Sequence, residues 1–177
     1  INGGAFNAKD GGYGFAVLSG GKEIINGGNI NAGLQNWGGQ FEVYGGVYTS
    51  KPNDNLLAEG LITLKKDNKW YVVPEGVDAV ATTADELANV LANDVDVIYV
   101  ANNTYDALPQ INKKVTLVCQ EGTIFNGKQG FNIAGSTIIG ATFQGVDNQV
   151  SNSTAINGIF KDCTFNVVNS TNTGKRA

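Results

Sequence analysis

Five acidic residues, Asp94, Asp96, Glu121, Asp147 and Asp162, are the side chains whose type and placement could support acid–base chemistry on a polymer. Hydrolysis of a glycosidic bond needs two carboxyl groups about 5 to 9.5 Å apart. Asp94 and Asp96 share one face if their segment is a strand. They also follow a stretch that reads as a helix, and a solvated edge is the reading preferred for them. Asp162, between Lys161 and Cys163, reads as an outward-facing strand residue. Histidine is absent, which removes the side chain most used as a general base or zinc ligand near neutral pH. Lys113, Lys114, Lys128 and Lys161 are scattered, and the one arginine, Arg176, is the penultimate residue. No catalytic residue is expected within this chain.

Binding asks for less than catalysis. Saccharides are held by aromatic faces and by amide side chains. Trp37, Tyr44, Tyr13 and Tyr105 are the aromatic candidates, with Asn31, Asn36 and Gln40 near the first two. Asn36-Trp37-Gly38-Gly39 reads as a loop, where a tryptophan has little packing to do, so Trp37, Tyr44, Asn36, Gln40 and Tyr13 form the candidate ligand site. Packing of Trp37 over the side of the fold is the competing reading, and Trp70 reads as core. Calcium would require an acidic loop. The chain has neither Asp-x-Asp-x-Asp-Gly nor the Gly-Gly-x-Gly-x-Asp nonapeptide, so no metal or cofactor is expected. Asn102, Asn152 and Asn169 lie in Asn-x-Ser/Thr triplets that a chain rich in these residues produces by chance.

The net charge of -4 and pI near 4.7 argue against a nucleic-acid surface, which needs lysine and arginine to neutralise phosphates. No apolar run reaches the roughly 20 residues that span a bilayer, so no membrane insertion is expected in this segment. Cys119 and Cys163 lack metal-ligand spacing and read as small buried hydrophobes, without a disulfide. The chain opens inside a repeat and without methionine, so a piece of a longer polypeptide is expected.

The elements that would carry these residues are short strands. Ile1-Asn2-Gly3-Gly4-Ala5-Phe6, Ile25-Asn26-Gly27-Gly28-Asn29-Ile30 and Val43-Tyr44-Gly45-Gly46-Val47-Tyr48 repeat one pattern at offsets of 24 and 18. Apolar pieces of three to five residues between glycine corners, recurring at this period, predict a solenoid of stacked turns. After Lys51 the pattern breaks: Leu61–Leu64 and Trp70–Val73 flank a polar turn and predict a hairpin that caps the stack. Thr83-Ala84-Asp85-Glu86 has capping-box spacing, and Leu87, Val90 and Leu91 give residues 84 to 92 one apolar helical face. Asp94 to Ala101 is strand-like, with Val95, Val97 and Tyr99 alternating against Asp94, Asp96 and Ile98.

From Val115 the solenoid returns. Phe125, Phe143 and Phe165 recur in Thr-Ile-Phe-Asn, Thr-Phe-Gln and Thr-Phe-Asn contexts at intervals of 18 and 22, which predicts an aromatic ladder. Asn126, Gln144 and Asn166 would form an amide row beside it. The expected class is all-β, a right-handed parallel β-helix with a β-hairpin cap and a short capping α-helix near the middle. Residues 1–76 would be the last turns and cap of a first β-helix, and 77–177 the helix-capped first turns of a second.

The Ile-Asn-Gly-Gly-x-Phe turns, the Gly-Gly-Val-Tyr-Thr-Ser turn leading to the Trp-Tyr-Val-Val cap, and Phe-Lys-Asp-Cys-Thr-Phe resemble the right-handed parallel β-helix, pectate-lyase-like superfamily. The resemblance is to its non-enzymatic surface-repeat or phage-appendage type. It implies an extracellular, cell-surface or virion-surface module of structural or adhesive role, with a glycan or cell-surface receptor as partner. The lyases of this superfamily use calcium-binding aspartates and a basic residue, a pattern this chain lacks. A fragment of a carbohydrate-active lyase or hydrolase is the alternative, and a phage tail-fibre segment a further one.

Overall fold

The computed structural model describes residues 1–8, 13–127, 132–147 and 157–168. About half of the chain, 51%, is strand and one short α-helix is present among the described residues, so the class is all-β. Parallel strands stack into solenoid turns, about seven in all. The chain divides into two compact units, Ile1–Gly76 and Val77–Ala177.

In the first unit the strands are β1 (Ala5–Asn7), β2 (Tyr13–Leu18), β3 (Lys22–Ile25), β4 (Asn29–Asn31), β5 (Gly33–Trp37), β6 (Gln40–Val43), β7 (Val47–Tyr48), β8 (Leu61–Lys66) and β9 (Lys69–Pro74). The first two turns contribute one strand to each of three parallel stacks and a third adds only β7: β1, β4 and β7; β2 and β5; β3 and β6. The three glycine-pair repeats are the corners of these turns, directly superposed. Asn29 N–H donates to Gly4 O and Val47 N–H to Gly28 O, both at 2.8 Å, and Asn26 Nδ2 donates to Asn2 Oδ1. Gly28 and Gly46 both have φ of 114°, and a Cβ on Gly28 would stand 2.9 Å from Gly4 O. Only glycine meets both conditions.

Register offsets are not uniform. Ala5 pairs with Asn29, 24 residues on, whereas Asn29 pairs with Val47 after 18, Phe15 with Leu34 after 19 and Lys22 with Gln40 after 18. Inside the stack Val17, Ile25, Ile30, Phe41, Val43, Tyr48, Leu56 and Val72 make one core.

The hairpin β8–β9 closes the end of the first sheet. Asp67 and Asn68 both have positive φ, the requirement of a two-residue turn whose twist matches the strands. β9 runs antiparallel to β7, with Tyr48 opposite Trp70, and β8 becomes the outer strand. Lys65 and Lys66 on that strand oppose further edge pairing. Trp70 is partly buried against the core, with the Lys51 and Lys65 ammonium groups over its ring.

The second unit contains β10 (Ala79–Ala81), α1 (Ala84–Leu91), β11 (Val97–Val100), β12 (Thr104–Tyr105), β13 (Thr116–Cys119), β14 (Ile124–Asn126), β15 (Asn132–Ile139), β16 (Thr142–Asp147), β17 (Asn157–Lys161) and β18 (Thr164–Val168). Strands β10, β11, β13, β15 and β17 form one parallel sheet, and β12, β14, β16 and β18 the other. The helix starts as its cap predicts: Thr83 Oγ1 accepts the Glu86 N–H. The Glu86 carboxylate reaches one residue further back than a capping box requires, accepting from Thr82 N–H and Thr82 Oγ1. Leu87 is fully buried, and Val90 and Leu91 pack against the same core.

The aromatic ladder is present and one rung longer than expected. Rings of Tyr105, Phe125, Phe143 and Phe165 follow one another at 5.2, 5.5 and 5.1 Å between centroids, close to the strand spacing. Asn126, Gln144 and Asn166 share the neighbouring register position. Cys119 and Cys163 are free thiols, and burial pushes both up from the usual cysteine range, so neither is a ready nucleophile.

Four local expectations need correction. Tyr105 is buried, not a surface aromatic, because it heads the ladder and donates its hydroxyl to Ala101 O. Asn36 and Trp37 are the last two residues of β5 rather than a loop, since ladder pairing with β2 extends to Trp37. The strand expected from Asp94 starts only at Val97, and Ile98, expected on the polar face, lies with Val100 in the core. Asp162 has φ of 52° and turns the chain between β17 and β18 rather than standing on a strand.

Removing a ladder rung opens a cavity that stacked neighbours cannot fill. Phe143→Ala is expected to destabilise the chain by about 3–5 kcal/mol, read from denaturant unfolding of both proteins. A pH effect comes from Asp78, whose carboxylate accepts from the backbone N–H groups of Val97 and Asp96 and is held below the usual carboxylate range by those bonds. A depressed folded pKa stabilises above the unfolded value, roughly 3.9, and that stability disappears as pH falls through the folded pKa. Asp78→Asn is expected to flatten the acid limb of a pH–stability profile.

Candidate functional site

The acidic candidates are spread over several elements of the second unit. Asp94 and Asp96 are exposed in the segment before β11, where Asp96 offers its N–H to Asp78. Glu121 lies in the turn between β13 and β14, and Asp162 in the turn between β17 and β18. Asp147 ends β16. No group of three or more His, Cys, Asp or Glu side chains able to hold a metal occurs among the described residues. Lys128, Arg176, Asn152 and Asn169 lie outside the described residues. No helix among the described residues is long and apolar enough to cross a membrane.

The aromatic and amide candidates fall into two places. The first is a groove of about 520 Å³ in the first unit, lined by Asn36, Gly39, Gln40, Phe41, Glu42, Tyr44, Asn55, Leu57, Ala58 and Glu59. It exists because the third turn is incomplete. After β7 the chain makes a 3-10 turn, Asp54–Leu56, and its backbone pairs with β6 where Leu57 bridges to Val43 and Ala58 N–H donates to Val43 O at 2.9 Å. Beside Gln40, Phe41 and Glu42 no strand follows among the described residues.

Period-two alternation places Gln40, Glu42 and Tyr44 on the outer face while Phe41 and Val43 enter the core. Tyr44 donates its hydroxyl to Glu42 Oε2 at 3.2 Å. That bond, and then the carboxylate's charge, raise the Tyr44 phenol above its ordinary value. Asn36 Oδ1 accepts from Gly38 and Gly39 N–H, which holds the corner between β5 and β6. Glu42 and Glu59 are the only charged side chains in the lining.

The second place is the end of β5. Trp37 does not line the groove. It is 55% exposed, and its register partner on the preceding turn, Leu18, is 62% exposed. Asn36, beside Trp37, is exposed too. Tyr13 begins β2 opposite Gly33, its side chain lying outside what the structure describes, and Asn31 on β4, which accepts from Thr49 Oγ1, is not among the groove residues. Three of the five expected ligand residues, Asn36, Gln40 and Tyr44, therefore share one groove, while Trp37 stands on a separate apolar step.

Compared with family models, curated proteins and solved structures, the chain matches none. The geometry must carry the functional reading. Glu42, Asn55 and Glu59 were not among the expected residues. Glu42 had a readable signal, the alternation from Gln40 to Tyr44; Asn55 and Glu59 had none, because they reach the groove only through the path of the cap.

The Tyr44–Glu42 bond has a direct readout. Titrating tyrosinate absorbance should show one exposed phenol ionising above the ordinary tyrosine range, and Glu42→Gln should bring it back down.

Proposed function

We propose that this chain is a non-catalytic recognition module of a cell-surface or virion-surface protein, of the right-handed, pectate-lyase-like β-helix type, and that it binds glycans. The observation that carries the reading is the exposed pair formed by Trp37 and Leu18 on adjacent turns. Period-two alternation turns this pair outward, and large apolar groups exposed side by side mark contact surfaces. An indole face suits the C–H face of a pyranose ring. The same module serves a bacterial surface repeat or a phage fibre. An enzyme fragment is the weaker reading, because the chain has no histidine and lacks the calcium-binding aspartates and basic residue of the lyases.

A glycan array with the wild type, Trp37→Ala and Trp37→Phe tests this. Loss of one aromatic contact predicts binding weakened about tenfold in the alanine variant and largely kept in the phenylalanine variant. Undiminished binding by Trp37→Ala would remove the platform. Depolymerisation of a bound polysaccharide would remove the non-catalytic reading.

A further inference from the structure

Beside β6 the solenoid leaves backbone groups without a turn to pair them. In a parallel ladder, residues that bond one neighbouring strand through both N–H and C=O alternate with residues that face the other neighbour. Gln40 N–H donates to Gly21 O and Tyr44 N–H to Ile25 O, so Gln40, Glu42 and Tyr44 face β3. Gly39, Phe41 and Val43 face the other way. Val43 is matched by Leu57 and Ala58, and the Gly39 N–H is taken by Asn36 Oδ1. Among the described residues this leaves the N–H and C=O of Phe41 and the C=O of Gly39 facing the groove that both residues line.

One donor between two acceptors at strand spacing is the complement of an extended polypeptide backbone. The charge of the groove selects the side chains of such a guest, since Glu42 and Glu59 are its only charged groups. We infer that the groove is an edge-pairing site for an extended, basic polypeptide segment of a partner protein. The segment adds a strand beside β6 through Phe41 and Gly39 and places lysine or arginine against Glu42 and Glu59. This goes beyond the glycan reading and does not use Trp37.

Synthetic hexapeptides of alternating lysine and valine test the site by calorimetry and by amide hydrogen exchange. The probes are the basic peptide, its glutamate–valine analogue, and two N-methylated forms of the basic peptide that block alternate sets of amides. The basic peptide is expected to bind and to slow exchange at the Phe41 amide. One N-methylated form should bind like the parent and the other at least about tenfold more weakly, because a strand pairs through one set of amides only. The glutamate analogue should bind weakly or not at all. Glu42→Gln with Glu59→Gln should cost the basic peptide about fivefold, as two exposed ion pairs would, with circular dichroism unchanged. Trp37→Ala should leave peptide binding as it was, so this inference and the glycan reading can fail separately. Equal affinity of the two N-methylated forms, absence of peptide binding, or unchanged Phe41 exchange in the bound state would overturn it. So would protection of Phe41 by a chitin oligomer or by self-association of the chain.

Discussion

Backbone pairing between successive turns is the interaction on which the rest of this structure depends. Every turn of a parallel stack satisfies half of its outward N–H and C=O groups on the turn before it and leaves half for the turn after. A stack therefore always ends in demand, and each end has to be met by something that is not another turn. In the first unit the antiparallel hairpin of β8 and β9 meets it along the sheet that ends in β7. Along β6 the demand is met only at Val43, and the uncovered remainder is the groove. Cap and candidate site are thus two outcomes of one constraint.

Side chains follow the same vertical logic. Tyr105, Phe125, Phe143 and Phe165 stack because strand spacing and ring spacing are nearly equal, so identical positions on successive turns make each other's environment. Buried polar groups are settled within the stack as well. Ser136 Oγ donates to Lys113 O and accepts from Val115 N–H, and Thr123 Oγ1 donates to Gln120 O, so neither hydroxyl is left unpaired in the core. At the corners the constraint is steric, and Gly28 and Gly46 meet it by having no side chain.

Features written as local repetition or local chemistry were legible in the sequence. The Gly-Gly corners, the phenylalanine spacing, the Thr83–Glu86 cap and the hairpin around Asp67-Asn68 each rest on a few neighbouring residues. Tyr105 was misread because its turn speaks a different dialect, with tyrosine where later turns have phenylalanine. Treating the two rings as equivalent would have found the fourth rung. Trp37 was misplaced into a loop by the glycines that follow it, although β5 runs through it. The groove was illegible for a deeper reason: it arises where a strand is missing, and a missing strand leaves no motif. Only residues of the wall that is present, Asn36, Gln40, Glu42 and Tyr44, were foreseeable.

The uneven register offsets carry one more consequence. Glycine corners Gly4 and Gly28 stay superposed although their turns differ in length, the first sheet advancing by 24 residues where the third advances by 18. Stacking in this fold thus fixes where the corners sit, not how many residues lie between them, so a turn can gain or lose residues and change what the surface presents while the ladder keeps its register.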